Sequence, residues 1–296
     1  MNEFRSGFVS FVGRPNVGKS TLTNALVGEK VAITSAKPQT TRRAIRGIAN
    51  RESGQLILVD TPGLHRPRTL LGERLNDLVE TTLGDVDVIG FCVPANEKIG
   101  PGDTFINEQL GKYRKAKLVA IVTKCETVSR DRLAEQLIAV SNLREWEAVI
   151  PVSAVSGEQV GELADLLIKL LPESEALYPA DMTTDESLEQ RICELIREAA
   201  LEGVHDELPH SIAVTIDEMG EREDGSLYDV HANVWVERDS QKGIIIGKGG
   251  SRLKDVGSKA RKEIEQLLGR KVFLSLRVKV SADWQRDPKA LGRLGF

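Results

Sequence analysis

The residues 13–20, GRPNVGKS, constrain this chain more than any other feature of its sequence. They match G-x-x-x-x-G-K-[ST], a loop whose backbone N–H groups wrap phosphates. An apolar run, Phe8–Val12, precedes the loop, and Ser20–Val27 follows it with apolar residues at helical spacing. A helix that begins at such a loop adds its positive N-terminal potential to the phosphate site. A glycine-rich turn that merely contains a lysine is the alternative, and this strand–loop–helix context disfavours it.

The chemistry of the loop assigns two side chains. We expect Lys19 to reach the β- and γ-phosphates of a nucleotide and the Ser20 hydroxyl to bind Mg²⁺. The predicted nucleotide-binding positions of this segment are Gly13, Asn16, Val17, Gly18, Lys19, Ser20 and Thr21.

Continuous apolar runs alternate with segments long enough for helices, which predicts a mostly parallel sheet with helices on both faces. The fold class is therefore an α/β P-loop NTPase domain, placed at 1–173 because its last helix, Gly161–Leu171, stops at Pro172. The later runs are Gln55–Val59, Val86–Val93, Leu118–Val122 and Ala148–Val152.

Further polar motifs follow these strands. Asp60-Thr61-Pro62-Gly63 comes directly after one strand, and we expect Asp60 to hold Mg²⁺ through water and Gly63 to donate its N–H to a γ-phosphate. Ser153-Ala154 ends another strand and suits a loop that contacts a guanine edge. Ligands of open α/β sheets collect at the carboxyl ends of the strands, where all these motifs lie.

A second domain is predicted at 185–296, after a Pro-bearing linker at 174–184. Thr183 and Glu186 fit a capping box that opens a helix. The pattern continues as a hairpin across Asp224-Gly225, a loop at Lys242–Gly250, a helix and a last strand, in the order α-β-β-α-β.

The loop of this second domain carries I-G-x-x-G, the core of a type II KH domain, in which a G-x-x-G loop clamps about four nucleotides of single-stranded RNA. Residues 242–296 hold 14 Lys/Arg against 5 Asp/Glu, so this block carries +9 in a chain of net charge −4. Such a block indicates a polyanion, although a merely solvated role stays open for each lysine or arginine. The predicted RNA-binding residues are Gly247, Lys248, Gly249, Gly250, Arg252 and Lys254.

Together these motifs resemble the translation-factor-type GTPases, in the branch that includes Era. Residues 37–43, KPQTTRR, resemble the first switch of that branch, which implies that Thr41 rather than Thr40 completes the Mg²⁺ site with Ser20 and Asp60. The resemblance also implies GTP and GDP as ligands. The predicted catalytic residues are Lys19, Thr41, Gly63 and Asn16.

The base-reading motif departs from the family. Thr123-Lys124-Cys125-Glu126 stands where [NT]-K-x-D is expected. An aspartate there accepts hydrogen bonds from guanine, and Glu126 offers the same carboxylate on one more methylene group. Because geometry matters at bidentate sites, we expect guanine preference with weaker affinity.

Two features bear on the rate of hydrolysis. Leu64 occupies the position of the glutamine that orients water in other GTPases, so we expect turnover no faster than about 10⁻⁴ s⁻¹ without stimulation. Asn16 has two open roles, either helping to bind a K⁺ ion beside the phosphates, as in related GTPases, or capping the loop.

The resemblance covers essentially the whole chain and implies binding to the 3′ region of small-subunit ribosomal RNA, not DNA, in assembly of the small ribosomal subunit. No apolar run approaches the ~20 residues of a membrane span, and Arg14 and Asn16 follow soon after Phe8–Val12, so we expect a cytoplasmic location. The resemblance adds peripheral association at the inner face of the cell membrane. Scattered Cys92, Cys125 and Cys193 indicate neither disulfides nor zinc. Two rivals are a P-loop ATPase or nucleoside kinase, and an RNA-binding module in which the nucleotide only gates affinity.

Overall fold

The computed structural model describes residues 4–35, 37, 40–63, 69–204 and 208–296. Within these residues the chain forms two compact units, with the division of the main segments between Asp185 and Glu186. Parts of 35–40 and 67–74 group with the second unit. None of the described helices is both long enough and apolar enough to cross a membrane.

The first unit is built on a six-stranded sheet in the order β2-β3-β1-β4-β5-β6. All neighbours in this sheet are parallel except β2 and β3, which pair antiparallel. The strands are β1 (Arg5–Val12), β2 (Ile45–Arg51), β3 (Gly54–Asp60), β4 (Val88–Pro94), β5 (Lys117–Thr123) and β6 (Ala148–Pro151).

Helices cover both faces of this sheet, which explains why its central strands are apolar without alternation: every residue of β3 and β4 is buried. The two faces form separate apolar cores, one around Phe11 and Leu167 and the other around Phe91 and Val122. The helices are α1 (Lys19–Val27), α2 (Leu70–Asp85), α3 (Pro101–Leu110), α4 (Arg130–Ser141) and α5 (Val160–Leu170). The predicted P-loop NTPase architecture is confirmed, and β2 is a strand that the apolar pattern did not predict.

The segment predicted as a linker packs on the first unit, and one buried side chain makes three of its hydrogen bonds. Gln55 Oε1 accepts hydrogen bonds from the N–H groups of Leu177 (2.8 Å) and Tyr178 (2.9 Å), and its Nε2 donates to Tyr178 O. These bonds satisfy a polar side chain that is fully buried on β3.

The second unit has a three-stranded sheet in the order β7-β8-β9, with β7 and β8 antiparallel and β8 and β9 parallel. The hairpin predicted across Asp224-Gly225 joins β7 and β8, and Gly225 has the positive φ of 68° that the turn requires. The elements are α6 (Leu188–Leu201), α7 (Leu208–Ser211), β7 (Ala213–Glu221), β8 (Tyr228–Val236), α8 (Asp239–Ile246), α9 (Ser251–Leu268), β9 (Val272–Val280) and α10 (Pro288–Leu294).

Two local predictions in this unit were wrong. The loop predicted at Lys242–Gly250 is shorter, because α8 extends to Ile246 and changes the order to α-β-β-α-α-β, apart from the short α7 and α10. The helix α6 is capped by Ser187 with Gln190 rather than by Thr183 with Glu186. Both pairs satisfy the capping-box pattern, and the Ser187 pair lies directly beside the first apolar turn of the helix.

Candidate functional sites

The phosphate-binding loop joins β1 to α1 as the sequence predicts, and Gly13 is fixed there by close packing. A Cβ at Gly13 would lie 2.5 Å from the Cys92 carbonyl oxygen, so only glycine fits between the loop and β4. Gly18 caps the N-terminus of α1 with φ 98°, in the left-handed region that glycine adopts most readily. The conformation of the loop backbone therefore requires glycine at positions 13 and 18.

Lys19 lies inside this loop with only 9% of its surface exposed. Its Nζ donates to the carbonyl oxygens of Gly13 (3.0 Å) and Arg14 (2.9 Å). Burial lowers the pKa of the Lys19 ammonium, and the nearby carboxylate of Asp60 opposes that shift. The phosphate of a bound nucleotide would supply the opposite charge that this buried cation requires.

The three predicted Mg²⁺ ligands lie together, although they come from α1, the first switch segment and β3. Ser20 Oγ donates to Asp60 Oδ2 at 2.7 Å, Thr41 Oγ1 donates to the same oxygen at 3.1 Å, and the two hydroxyl oxygens are 3.2 Å apart. Asp60 is fully buried, and its Oδ1 has no hydrogen-bond partner among the described residues. Two hydroxyls and an unsatisfied carboxylate oxygen form the oxygen-only donor set that Mg²⁺ prefers.

The electrostatics of Asp60 agree with a cation site. Burial raises the pKa of the Asp60 carboxyl, while hydrogen bonds from Ser20 and Thr41 and the charge of Lys19 lower it. A bound divalent cation would lower the pKa of the Asp60 carboxyl further, because its positive charge offsets the cost of burying the ionised carboxylate.

Gly63 lies beside the phosphate-binding loop: a Cβ on it would be 3.8 Å from Gly13 O and from Pro15. Gly63 thus lies close to the loop, and the donation of its N–H to a γ-phosphate stays a prediction. Leu64 lies outside the described residues, as do Pro38 and Gln39 of the first switch, so the expectations that rest on them stay predictions.

One cavity gathers the residues predicted to read the base. It is lined by Gly18, Thr21, Thr123, Lys124, Glu126, Val152, Ala154 and Val155. Ser153 is fully buried next to the cavity, and its hydroxyl accepts the N–H of Ser156 at 3.0 Å in a turn that presents Ala154. The carboxyl ends of β5 and β6 thus deliver both predicted base-reading motifs to one place.

Thr123 and Lys124 also tie this cavity to the phosphate-binding loop. Thr123 Oγ1 donates to Val17 O at 2.6 Å, and Lys124 Nζ donates to Asn16 O at 2.7 Å. Lys124 and Asn16 both have positive φ, 58° and 63°, in the left-handed region where non-glycine residues are uncommon. The base and phosphate halves of the site are therefore held together by hydrogen bonds to the backbone of the loop.

Glu126 is exposed at the rim of the cavity, in a single 3₁₀ turn over Cys125–Thr127. Its carboxylate is thus available to a ligand in the cavity. Sequence reasoning missed Val155, whose side chain is 80% exposed at the same rim. An apolar side chain directly after Ser153-Ala154 is the signal that could have identified it.

The G-x-x-G loop of the second unit lies between α8 and α9. Gly247, Gly249 and Gly250 have φ of 73°, 60° and 79°, which glycine adopts at no steric cost. A Cβ on Gly247 would also lie 2.7 Å from the Cβ of Arg252. The loop therefore requires glycine for its conformation and for its packing, and its backbone is open to close approach by a ligand.

The three cationic side chains predicted to bind RNA differ in their surroundings. Lys248 and Lys254 are exposed at the loop and in the first turn of α9. Arg252 instead uses its Nη2 to donate to Ala200 O (3.2 Å) and Glu202 O (2.6 Å) at the C-terminal end of α6. The structure thus gives Arg252 a packing role, and its predicted contact with RNA stays a prediction.

Comparisons with known proteins match segments of both units. A family model described as "50S ribosome-binding GTPase" matches residues 8–124, and a KH domain model matches residues 207–285. GTPase Era of Mycolicibacterium smegmatis is 64% identical, with 100% of each chain covered, and GTPase Era of Streptomyces coelicolor is 64% identical over 99% of this chain and 95% of its own.

Two solved structures are similar over nearly the whole chain. An Aquifex aeolicus Era variant bound to GDP and AlF4⁻ has a TM-score of 0.94 at 36% identity, covering 98% of this chain and 99% of its own. Era in complex with MgGDPNP and nucleotides 1506–1542 of 16S ribosomal RNA has a TM-score of 0.94 at 36% identity, covering 99% of each chain.

The fold and the nucleotide site define a P-loop GTPase, which converts GTP to GDP and phosphate, joined to a C-terminal KH domain. The 64% identity over the full length of both chains also identifies the family within this class. The chain belongs to the Era family of GTPases.

Proposed function

We propose that this GTPase is a slowly hydrolysing switch that binds small-subunit ribosomal RNA through its KH domain and acts in assembly of the small ribosomal subunit. The observation that carries the proposal is a G-x-x-G loop with three positive-φ glycines, set in a chain that is similar over 99% of its length to Era bound to a 16S ribosomal RNA fragment. The proposed division of labour is 1–173 for GTP, 174–184 as linker and 185–296 for RNA.

In the nucleotide half, each residue has a defined task. Lys19 and the N–H groups of the loop bind the phosphates, and Gly63 senses the γ-phosphate by donating its N–H to it. Ser20, Thr41 and Asp60 would hold Mg²⁺, which shields the charge of the phosphate oxygens. The hydrogen bonds that now link these three side chains keep them together before the nucleotide arrives.

Guanine is selected by the cavity at the ends of β5 and β6. The exposed carboxylate of Glu126 accepts hydrogen bonds from the N1–H and the 2-amino group of the base, which adenine cannot provide. The hydrogen bonds from Thr123 and Lys124 to the phosphate-binding loop keep this cavity in register with the phosphate site.

In the RNA half, the loop over Gly247–Gly250 binds the sugar-phosphate backbone, with Lys248 and Lys254 as exposed cations beside it. The +9 charge of residues 242–296 supports a polyanionic ligand. The roles of K⁺ at Asn16 and of peripheral membrane association remain predictions from the family resemblance.

The experiment measures RNA affinity by fluorescence anisotropy, using a single-stranded oligonucleotide of the 3′ end of small-subunit ribosomal RNA. The protein is loaded with Mg²⁺ and either GDP or a non-hydrolysable GTP analogue. We expect submicromolar binding with the GTP analogue, weaker binding with GDP, and loss of binding in Lys248→Glu. An oligonucleotide of the same composition in scrambled order reports non-specific binding.

A matched control is Lys262→Glu, which makes the same charge reversal at an exposed position of α9. Lys262 lies 11 residues beyond Ser251, about 16 Å along the helix, outside the screening length at physiological salt. Equal RNA affinity in wild type and Lys248→Glu, or equal affinity for the scrambled oligonucleotide, would refute the RNA half of the proposal.

A further inference from the structure

Arg14, the second residue of the phosphate-binding loop, is held by two carboxylates that the nucleotide chemistry does not use. Its Nε donates to Asp103 Oδ1 at 2.8 Å, and its Nη2 donates to Glu97 Oε2 at 2.9 Å. The hydrogen bond to Asp103 is the main cause that raises the pKa of Arg14. The guanidinium group is thus directed away from the phosphate site, toward the start of α3.

Asp103 makes this contact rigid. Its side chain is fully buried, and its second oxygen, Oδ2, accepts the N–H of Gly100 at 2.9 Å where α3 begins. The aliphatic part of Arg14 packs against the same turn, since a Cβ on Gly102 would lie 2.8 Å from Arg14 Cδ. The first turn of α3, through its buried Asp103, therefore fixes the side chain of a loop residue.

The backbone of Arg14 belongs to the nucleotide site itself. Its carbonyl oxygen accepts the Lys19 ammonium at 2.9 Å, and Gly13 O accepts the same group at 3.0 Å. The side chain and the carbonyl of one residue thus connect α3 to the lysine that binds the phosphates. A loop held in this way has less conformational freedom to lose when a nucleotide binds.

We propose that Arg14, Asp103 and Glu97 form a clamp that preorganises the phosphate-binding loop, with Arg14 as a positioning residue for guanine nucleotides. The clamp acts before binding and touches neither the base nor the γ-phosphate. It therefore strengthens the binding of GTP and GDP by the same factor and leaves the chemical step unchanged.

The test measures affinity for fluorescent GDP and GTP with Mg²⁺, together with kcat and KM, for the full chain. We expect Arg14→Gln to weaken both nucleotides by about five- to tenfold and to raise KM with kcat unchanged. Arg14→Lys keeps the charge but loses the planar fork, and we expect it to recover only part of the affinity.

A double-mutant cycle separates the clamp from general destabilisation. We expect Asp103→Asn to weaken binding to a similar degree and the double variant to be no weaker than either single variant, because both remove one interaction. Arg132→Gln is the matched control, since it breaks a surface ion pair with Glu135 on α4, and it should bind nucleotide as wild type does.

If Arg14→Gln does not fold, Glu97→Gln supplies the test, because the Glu97 side chain is half exposed and its substitution leaves the core intact. We expect the dissociation constants for GTP and GDP to rise about twofold in this variant. Unchanged affinity in the folded variants, additive effects in the double variant, or a loss confined to kcat would overturn the clamp. The clamp rests on guanine nucleotide binding, so the wild type is measured first. Failure of the wild type to bind guanine nucleotides would refute the GTPase assignment. Equal binding by the wild type and the variants would refute the clamp alone.

Discussion

The Ser20 hydroxyl donates a 2.7 Å hydrogen bond to Asp60 Oδ2 across 40 positions of the chain. Ser20 lies in the first turn of α1, and Asp60 ends β3, the strand next to β1. Parallel pairing of β1 with β3 places their carboxyl ends at one edge of the sheet, which is why the two side chains meet. The same edge carries Thr41, so the metal site follows from the strand order.

Asp60→Asn tests this arrangement, because it keeps the shape of the side chain and removes its charge. We expect Asp60→Asn to bind GTP about 10- to 100-fold more weakly than the wild type when Mg²⁺ is present. In EDTA, the variant and the wild type should bind GTP with the same affinity. Calorimetric titrations with Mg²⁺ and with EDTA measure both values. Asp131→Asn, at an exposed position of α4, is the matched control, and a full Mg²⁺ effect in Asp60→Asn would contradict the site.

Glu126 can be tested with nucleotides that differ only at the base edge. ITP lacks the 2-amino group of GTP, so a carboxylate that accepts from this group makes GTP bind more tightly than ITP. We expect Glu126→Ala to lose about tenfold or more in GTP affinity and to bind GTP and ITP equally. Glu126→Asp should bind GTP more tightly than the wild type does, since it restores the shorter carboxylate of the family.

The control for Glu126 is Glu162→Ala on the exposed side of α5, which removes a carboxylate that does not line the cavity. If Glu126→Ala keeps the wild-type preference for GTP over ITP, another group reads the base. Competition by ATP as strong as that by GTP would also contradict the assigned role of Glu126.

Arg252 and Lys248 lie near the same loop and should respond differently to truncation. Arg252 Nη2 binds two carbonyl groups at the end of α6, so Arg252→Ala should lower the free energy of unfolding by about 1–2 kcal/mol. Lys248→Ala should leave stability unchanged and reduce the salt slope of RNA binding by about 0.7. Chemical denaturation and binding at several salt concentrations separate the two roles. A stable Arg252→Ala variant with a reduced salt slope would assign Arg252 to the RNA instead.

Cys92 makes the stability of the protein depend on pH at the alkaline end. Burial raises the pKa of the Cys92 thiol from its ordinary value of 9.0 to about 12; the charge of Lys19 opposes this shift and that of Asp60 adds to it. Above pH 9 the unfolded thiol loses its proton and the native thiol keeps it. The native state then binds more protons, so stability falls as pH rises from about 9 to 12.

Cys92→Ala removes this contribution and leaves every other titrating group in place. We therefore expect the free energy of unfolding to fall less steeply with pH in the variant, by up to about 1.4 kcal/mol per pH unit between pH 9 and 11. Urea denaturation with a reductant present measures both slopes. Parallel slopes would show that the Cys92 thiol titrates at its ordinary pKa in the native state.

The motifs and the mostly parallel sheet of the first unit could be predicted from sequence because the apolar runs are long, buried on both faces and, in most cases, followed by a polar motif. The strand β2 escaped prediction because Ile45–Arg51 mixes glycine, asparagine and arginine with its apolar residues. The cap of α6 was misplaced because Thr183/Glu186 and Ser187/Gln190 satisfy the same local pattern. A local sequence pattern does not show which of two neighbouring capping pairs begins the helix, because the packing of the helix decides between them.

The rest of the site depends on contacts between distant segments. Nothing near Arg14 in the sequence indicates that Asp103, 89 positions away, holds its guanidinium group. Arg252 was assigned to RNA because its charge and position fit, whereas its partners lie at the end of α6, about 50 residues earlier. Such partners follow only from the fold, because the chain brings them together by tertiary packing.

The most direct test of the central claim is calorimetric titration of the purified chain with GDP and with a non-hydrolysable GTP analogue, with Mg²⁺ present. The central claim is that three segments form one site: the loop at 13–20, the Asp60–Gly63 motif and the cavity beside Lys124. We therefore expect one binding site per chain for each nucleotide. We also expect affinity to fall several-fold or more when EDTA removes the metal. Absence of binding by either guanine nucleotide would contradict the account.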